Sequence, residues 1–370
     1  MAPRVFVSAG EPSGDLHAAA VVRALADRVP GVTVEAFGGP CLEDAGASVR
    51  FRMEAYTAFG FVEVVEKIPR HLRLLRRLAR DFAEGRYDLL MVVDYTGFNV
   101  RLAEAARKHG VPVLYYVAPQ LWAWRPGRAR RFARAVDRVA VILPFEREFF
   151  AGVGVDAEYV GHPLVEHAAG PSRTEARRRV GASEDERILA LLPGSRGQEV
   201  RRLWPRFREA ARQLVAAGAC DRVIVGGAPG HALPEADGVT IYAGPAADVL
   251  VAADAALAKS GTITLEAALA DTPMVVAYRV HPLTSMLARR LLRVEWISLV
   301  NLVAGRAVVP ELVQEEVAVD RLVAAVRPLL DPSSEAARLQ REGLALVRER
   351  LNGPGAAGRV ADQAVALLRR

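Results

Sequence analysis

The chain has 370 residues, 51% hydrophobic and 25% charged, with a formal net charge of +6. That length allows two or three domains, and the balance excludes a disordered, collagenous or disulfide-stapled chain. Cys41 and Cys220 lie too far apart for a zinc-ligand spacing or a disulfide framework, which fits a reducing compartment.

The predicted elements alternate strand and helix from end to end. Strands are expected at Arg4–Ser8, Thr33–Gly38, Leu89–Val93, Val113–Tyr116 and Arg138–Ile142. Each is short and apolar on both faces, as buried parallel strands are. Helices at Asp15–Val29 and Asn99–His109 lie between them. A second series follows, with strands at Ile188–Leu192, Arg222–Val225, Val239–Ile241, Ala255–Ala258 and Met274–Ala277. Helices at Trp204–Ala217, Ala247–Ala253 and Thr262–Ala270 separate these.

Two βαβ runs, each with its own start, predict an α/β chain of two facing, Rossmann-like, doubly wound domains. A closed barrel fits the strand count too, but residues 161–181 are polar and turn-rich and read as a linker with a short helix. The expected boundaries are 1–165, 166–340 and a helical C-terminal tail, 341–370, free to pack back on the first domain. No secretory leader opens the chain and no apolar run reaches the ~18 residues of a membrane span. The expectation is therefore a cytoplasmic protein, at most peripheral on a membrane.

One segment differs from the rest. Residues 55–83 open with an apolar patch containing Phe59, Phe61 and Val64. An amphipathic helix follows, with Ile68, Leu72, Leu75, Ala79 and Phe82 on one stripe and Arg73, Arg76, Arg77 and Arg80 elsewhere. The stripe is expected to face the core, and the patch to meet lipid.

In open parallel sheets ligands bind beyond the carboxyl ends of strands, and the space between two such sheets is the expected site. The turn "VSAGEPSGDL", residues 7–16, has the strand–glycine–helix form that suits an anion, yet it carries Glu11 and Asp15 beside Ser13 and Gly14. A phosphate would be repelled there. "LLPGSRGQEV" is its cationic counterpart, with Gly194, Ser195 and Arg196 after a strand. The bland alternative is a Pro-Gly turn with a surface arginine. "AKSGTITLEAAL" tips the balance, because Ser260, Gly261 and Thr262 precede a helix. Glu266, one turn into that helix, is placed to bind a ribose diol or simply to favour the helix dipole.

"VVDYTGFN" ends a buried strand with Asp94, either a general base or a turn cap. "YYVAPQLWAWRPGR" sets Gln120 and Trp122 after another strand, for sugar stacking or for packing. The arginines that follow (Arg125, Arg128, Arg130, Arg131, Arg134) form a solvated face or an anion-attracting one. Nucleic acid is not an expected partner, since aromatics are only 6% of residues and arginines are dispersed.

These stretches, together with "VILPFEREFF", "YVGHPL" and "SLVNLVAGRAVVPELVQEE", resemble the successive motifs of the lipid-A-disaccharide synthase family, in family order over residues 7–316. The resemblance implies a GT-B fold and an inverting, metal-independent glycosyltransferase without a cofactor. The implied donor is UDP-2,3-diacylglucosamine and the implied acceptor 2,3-diacylglucosamine 1-phosphate. It implies work at the inner face of the cytoplasmic membrane and allows a homodimer. Carried over by motif, the important aspartate is Asp94, the phosphate-turn arginine Arg196, the acidic-turn glutamate Glu11, and the late asparagine Asn301. The family commonly has proline two residues after the aspartate, where this chain has Thr96; Asp94 and Asn99 are kept. Two other readings stay open: a UDP-GlcNAc 2-epimerase-like enzyme, and a non-catalytic basic lipid-binding protein.

Overall fold

The short apolar runs become strands of two wholly parallel sheets. The structure is a computed structural model describing residues 2–56, 61–124, 126–167, 170–226, 238–281, 295–351 and 353–369. It divides into one unit of Met1–Glu166 with Gly353–Arg370, and a second of His167–Asn352.

In the first unit, β1 (Arg4–Ala9), β2 (Thr33–Gly38), β3 (Ser48–Arg52), β4 (Leu89–Val93), β5 (Val113–Tyr116), β6 (Arg138–Val141) and β7 (Asp156–Tyr159) form one sheet. Its order is β3-β2-β1-β4-β5-β6-β7. The direction of winding reverses between β1 and β4, where Ala9 pairs with Val93, so the turns leaving these two strands are neighbours. A doubly wound sheet places its ligand at this reversal.

Alternation within each strand feeds two different apolar layers. Val5 and Val7 of β1 and Leu89 and Met91 of β4 point to α1 (Pro12–Arg28) and the chain's last helix. Phe6, Leu90 and Val92 point to the opposite layer, with Leu74, Leu78 and Phe82. The intervening helices are α2 (Pro40–Asp44), α3 (Phe61–Ala83), α4 (Thr96–Lys108), α5 (Leu121–Trp124), α6 (Ala129–Ala135) and α7 (Glu146–Ala151).

The core stripe of α3 differs from the predicted one. Leu74, Leu78 and Phe82 are buried, whereas Ile68 is 46% exposed and Leu72, Leu75 and Ala79 flank the buried line. The apolar arc is wider than one heptad-like stripe, and its true centre lies about one residue round the helix. Phe59 lies outside the described residues. So do the side chains of Phe61 and Val64.

The second unit begins with α8 (Arg173–Arg179). Its sheet is built from β8 (Ile188–Leu192), β9 (Arg222–Val225), β10 (Val239–Ile241), β11 (Ala255–Lys259), β12 (Met274–Tyr278) and β13 (Glu311–Val313), in the order β10-β9-β8-β11-β12-β13. Here the reversal lies between β8 and β11, with Leu192 beside Ala258. Its helices are α9 (Gly197–Ala216), α10 (Ala246–Ala252), α11 (Ile263–Leu269), α12 (Leu299–Ala304), α13 (Val319–Val326) and α14 (Glu335–Arg350).

Helix α14 runs unbroken through the expected boundary at 340 and packs on α11 and α12, so it belongs to the second unit. Only α15 (Ala356–Leu368) returns to the first. There it buries Val360, Ala361, Ala364 and Leu367 against α1, with Arg28 Nε donating to Asp362 Oδ1 at 2.6 Å. Among the described residues no helix is long and apolar enough to cross a membrane.

Candidate active site

At the first reversal the β4–α4 turn is forced into an unusual shape. Asp94 and Tyr95 are consecutive left-handed residues, with φ of 46° and 44°. Neither is glycine, so the pair carries strain of about 1–3 kcal/mol per residue that its surroundings must hold. Asn99, fully buried, donates through Nδ2 to the carbonyls of Asp94 (2.9 Å), Val93 (3.2 Å) and Ser8 (3.2 Å). The Tyr115 hydroxyl adds a second bond to the Asp94 carbonyl, at 2.8 Å.

Tyr95 is anchored at its far end. His71 on α3 has Nδ1 2.9 Å from the Lys67 carbonyl and Nε2 2.7 Å from the Tyr95 hydroxyl. A carbonyl can only accept, so Nδ1 donates to it, and in the neutral tautomer Nε2 accepts from the tyrosine. On its other side the ring lies against Gly10, where a Cβ would fall 2.3 Å from it. Only glycine fits there.

The turn so held presents the Asp94 carboxyl in a partly desolvated place. Burial pushes its pKa up to about 6, and the charge of Glu11 pushes the same way. Glu11 itself is the exposed N-cap residue of α1, making no side-chain capping bond, and Ser13 is exposed beside it.

At the second reversal the chemistry inverts. Gly194 has φ of 116°, and a Cβ there would meet the Glu199 carboxylate at 2.6 Å. Glu199 is folded back over the turn, pairing with Lys259 Nζ at 3.0 Å and with Arg196 at 3.6 Å. Two cations share one carboxylate, leaving the cluster net positive. The Arg196 side chain is 82% exposed, so its ion pair contributes little and it is free to turn toward an anion. Ser195 and Thr262 are exposed next to it. Glu266 is half-buried without a side-chain partner among the described residues, and burial raises its pKa.

Several residues expected to contact ligand also make scaffold contacts. Asp15 is buried and accepts from the backbone N–H groups of Gly39 (2.7 Å) and Cys41 (2.9 Å), so it holds the start of α2. Asn99 braces the Asp94 turn. Ser260 donates to the Ile297 carbonyl at 2.7 Å. Asn301 is buried, bonding Val308, Val309 and Glu311, while Glu311 also accepts from Ile297 and Ser298. Gly14 is buried under the acidic turn.

Trp122 donates to Glu146 at 3.0 Å and packs edge-on against Phe145, a packing role; Gln120 is exposed. Sequence reading takes Lys259 only as part of the Lys-Ser-Gly-Thr turn and Glu199 only as the first carboxylate after the cationic turn, and it passes over His71. A lysine ending a strand before a Ser-Gly turn, and a glutamate three residues after Arg196 in capping-box spacing, are the signals that were present for the first two. His71 lacks one, because its partner Tyr95 is distant in sequence.

Two parallel sheets of this winding, each with a polar glycine turn at its reversal, define the fold of the GT-B glycosyltransferases. The chain is similar in fold to a glycosyltransferase of kitacinnamycin (TM-score 0.64, 18% identity, 99% of each chain covered). It is similar also to the UDP-GlcNAc 2-epimerase of Neisseria meningitidis (TM-score 0.66, 10% identity, covering 99% of this chain and 100% of that one). In sequence, residues 5–353 match the lipid-A-disaccharide synthetase family profile. The lipid-A-disaccharide synthase of Myxococcus xanthus is 44% identical over 99% of this chain and 98% of its own. The chain belongs to the lipid-A-disaccharide synthase family.

Proposed function

We propose that the chain joins two acylated glucosamines: UDP-2,3-diacylglucosamine as donor and 2,3-diacylglucosamine 1-phosphate as acceptor. The products are the β-1,6-linked disaccharide 1-phosphate and UDP. The observation that carries the reading is Asp94, a strand-end carboxyl with a pKa of about 6 beside Glu11. A group so tuned is ionised at neutral pH yet basic enough to accept a proton.

Asp94 takes the proton of the acceptor's 6-hydroxyl as that oxygen attacks the donor's anomeric carbon. The bond from that carbon to the diphosphate breaks on the opposite face, inverting the centre in one step. Arg196 and Lys259 neutralise the charge that builds on the departing UDP, with the N–H groups of the Gly261–Thr262 turn beside them. Glu266 receives the ribose diol. Glu11 and Ser13 bind acceptor hydroxyls, and Gln120 lies at the next strand end.

Acyl chains call for an apolar rest, and Phe59, Phe61 and Val64, leading into the exposed Ile68 and the arginines of α3, supply one on the inner face of the cytoplasmic membrane. Mass spectrometry of products formed from the two diacylated sugars, without added divalent metal, tests the reading. Disaccharide phosphate is expected only with both sugars present. UDP-GlcNAc converted in the absence of any acceptor would instead point to an epimerase.

A further inference from the structure

The arginines after Trp122 have no part in the scheme above, and three elements of the first unit arrange two of them around a cavity. The cavity measures about 290 Å³. Val100, Leu121 and Phe132 give it an apolar floor, while Arg101, Arg128 and Arg131 stand on its walls. Thr96 and Gly97 also line it, so it opens two residues beyond Asp94, about 7.6 Å at most between the α-carbons of Asp94 and Thr96.

The spacing explains how the wall is made. Thr96, Gly97, Val100 and Arg101 share one face of α4, and Arg128, Arg131 and Phe132 share one face at the start of α6. The three arginines are not equivalent. Arg131 is committed, its Nε and Nη2 donating to the Glu104 carboxylate at 2.6 and 2.9 Å, which clamps α6 to α4. Arg101 and Arg128 are exposed and neither is held by a side-chain hydrogen bond or an ion pair within 4.0 Å among the described residues, though the charge of Arg101 also acts on Glu104. Two uncommitted guanidinium groups over an apolar floor fit a ligand with a phosphate and a hydrocarbon portion.

We infer that this cavity is the acceptor's phosphate subsite: Arg101 and Arg128 bind the anomeric phosphate of the acylated sugar, and the apolar floor takes the first methylenes of a neighbouring acyl chain. In the pyranose ring C1, which bears the phosphate, and C5, which bears the 6-hydroxymethyl group, both flank the ring oxygen, so the two groups share one edge of the sugar. Anchoring the phosphate here, a short step from Asp94, orients the sugar with its 6-hydroxyl toward the base. The donor carries no free phosphate monoester, so the subsite also distinguishes the two sugars. The inference rests on the acceptor reading proposed above.

Arg101→Gln and Arg128→Gln are to be assayed beside the unaltered enzyme with the phosphorylated acceptor and with the same diacylated sugar lacking its phosphate. Each substitution is expected to lower the ratio of kcat/KM for the two acceptors about tenfold, mainly through acceptor KM. An equal loss on both acceptors, no loss, or a change confined to donor KM overturns the assignment. Micelles of an uncharged detergent remove phospholipid as a second source of phosphate. A phosphate-dependent effect that appears only when anionic vesicles are added assigns the arginines to the membrane and overturns it too. Failure of the unaltered enzyme to form any disaccharide removes the underlying reading along with the subsite; disaccharide formation with unaffected variants removes the subsite alone.

Discussion

The turns after β1 and β4 in the first unit and those after β8 and β11 in the second occupy the same topological position, each at the reversal of a parallel sheet. In the first, Glu11 and the buried face of Asp94 make an acidic, partly desolvated lip. In the second, Arg196 and Lys259 outnumber Glu199 and leave positive charge in reach of solvent. The winding of a sheet thus settles where a ligand sits but not what it is. A handful of side chains on the same backbone turn decides whether it carries a partly desolvated carboxyl of raised pKa or an exposed cationic cluster.

The sharpest way to break this contrast is Asp94→Asn, which removes the proposed proton acceptor while keeping the side chain's shape. Turnover is expected to fall roughly 10²- to 10⁴-fold, as for loss of a general base. Near-normal turnover in a product assay would transfer the role to Glu11. On the cationic side, Arg196→Ala and Lys259→Ala are each expected to lower kcat by about 10²-fold, the order seen when one charge-stabilising donor is lost. A change in acceptor KM alone would place them elsewhere in the reaction.

Asp15 sharpens the distinction between ligand and scaffold. Asp15→Ala deprives two backbone N–H groups of a charged acceptor and is expected to cost roughly 3 kcal/mol in urea unfolding, with Ser13→Ala costing far less. Equal stabilities would return Asp15 to the ligand-binding set. The smallest expected effect is a shift of pH dependence. Asp94 must be ionised to accept a proton, so kcat/KM rises with pH through about 6. The charge on Glu11 helps to hold that pKa up, so Glu11→Gln moves the acid limb to lower pH. A limb that moves upward contradicts the electrostatic coupling.

The central strands were legible because they are apolar on both faces; β4 reads Leu-Leu-Met-Val-Val and is buried throughout. The strands absent from the sequence reading, β3, β7 and β13, sit at sheet edges. No residue in them is fully buried, and Ser-Val-Arg-Phe-Arg or Asp-Ala-Glu-Tyr gives no continuous apolar run. Helix starts were placed late for a related reason. Helix α9 begins at Gly197, but its first three residues, Gly-Gln-Glu, are not apolar, Val200 stands alone before two arginines, and the stripe becomes dense only at Leu203 and Trp204.

In the site, the opposed charges of the two turns could be read directly, since they follow predicted strands. Which polar side chains reach outward could not. Asp15, Asn99, Ser260 and Asn301 have the residue types of ligand contacts, and only their burial and backbone partners mark them as braces. The Tyr95–His71 bond joins residues 24 apart on different elements and leaves no periodic trace.

Helix α15 completes the layer over Val5, Val7, Met91 and Leu114, although the whole second unit precedes it in the chain. During synthesis the unit that holds Asp94 therefore emerges first but waits, with an oily flank uncovered, until some two hundred further residues have left the ribosome. The second unit, His167–Asn352, is contiguous and can mature before its elder neighbour. Completion of this unit is thus gated by translation itself, because the half that begins the chain is also the last to be finished.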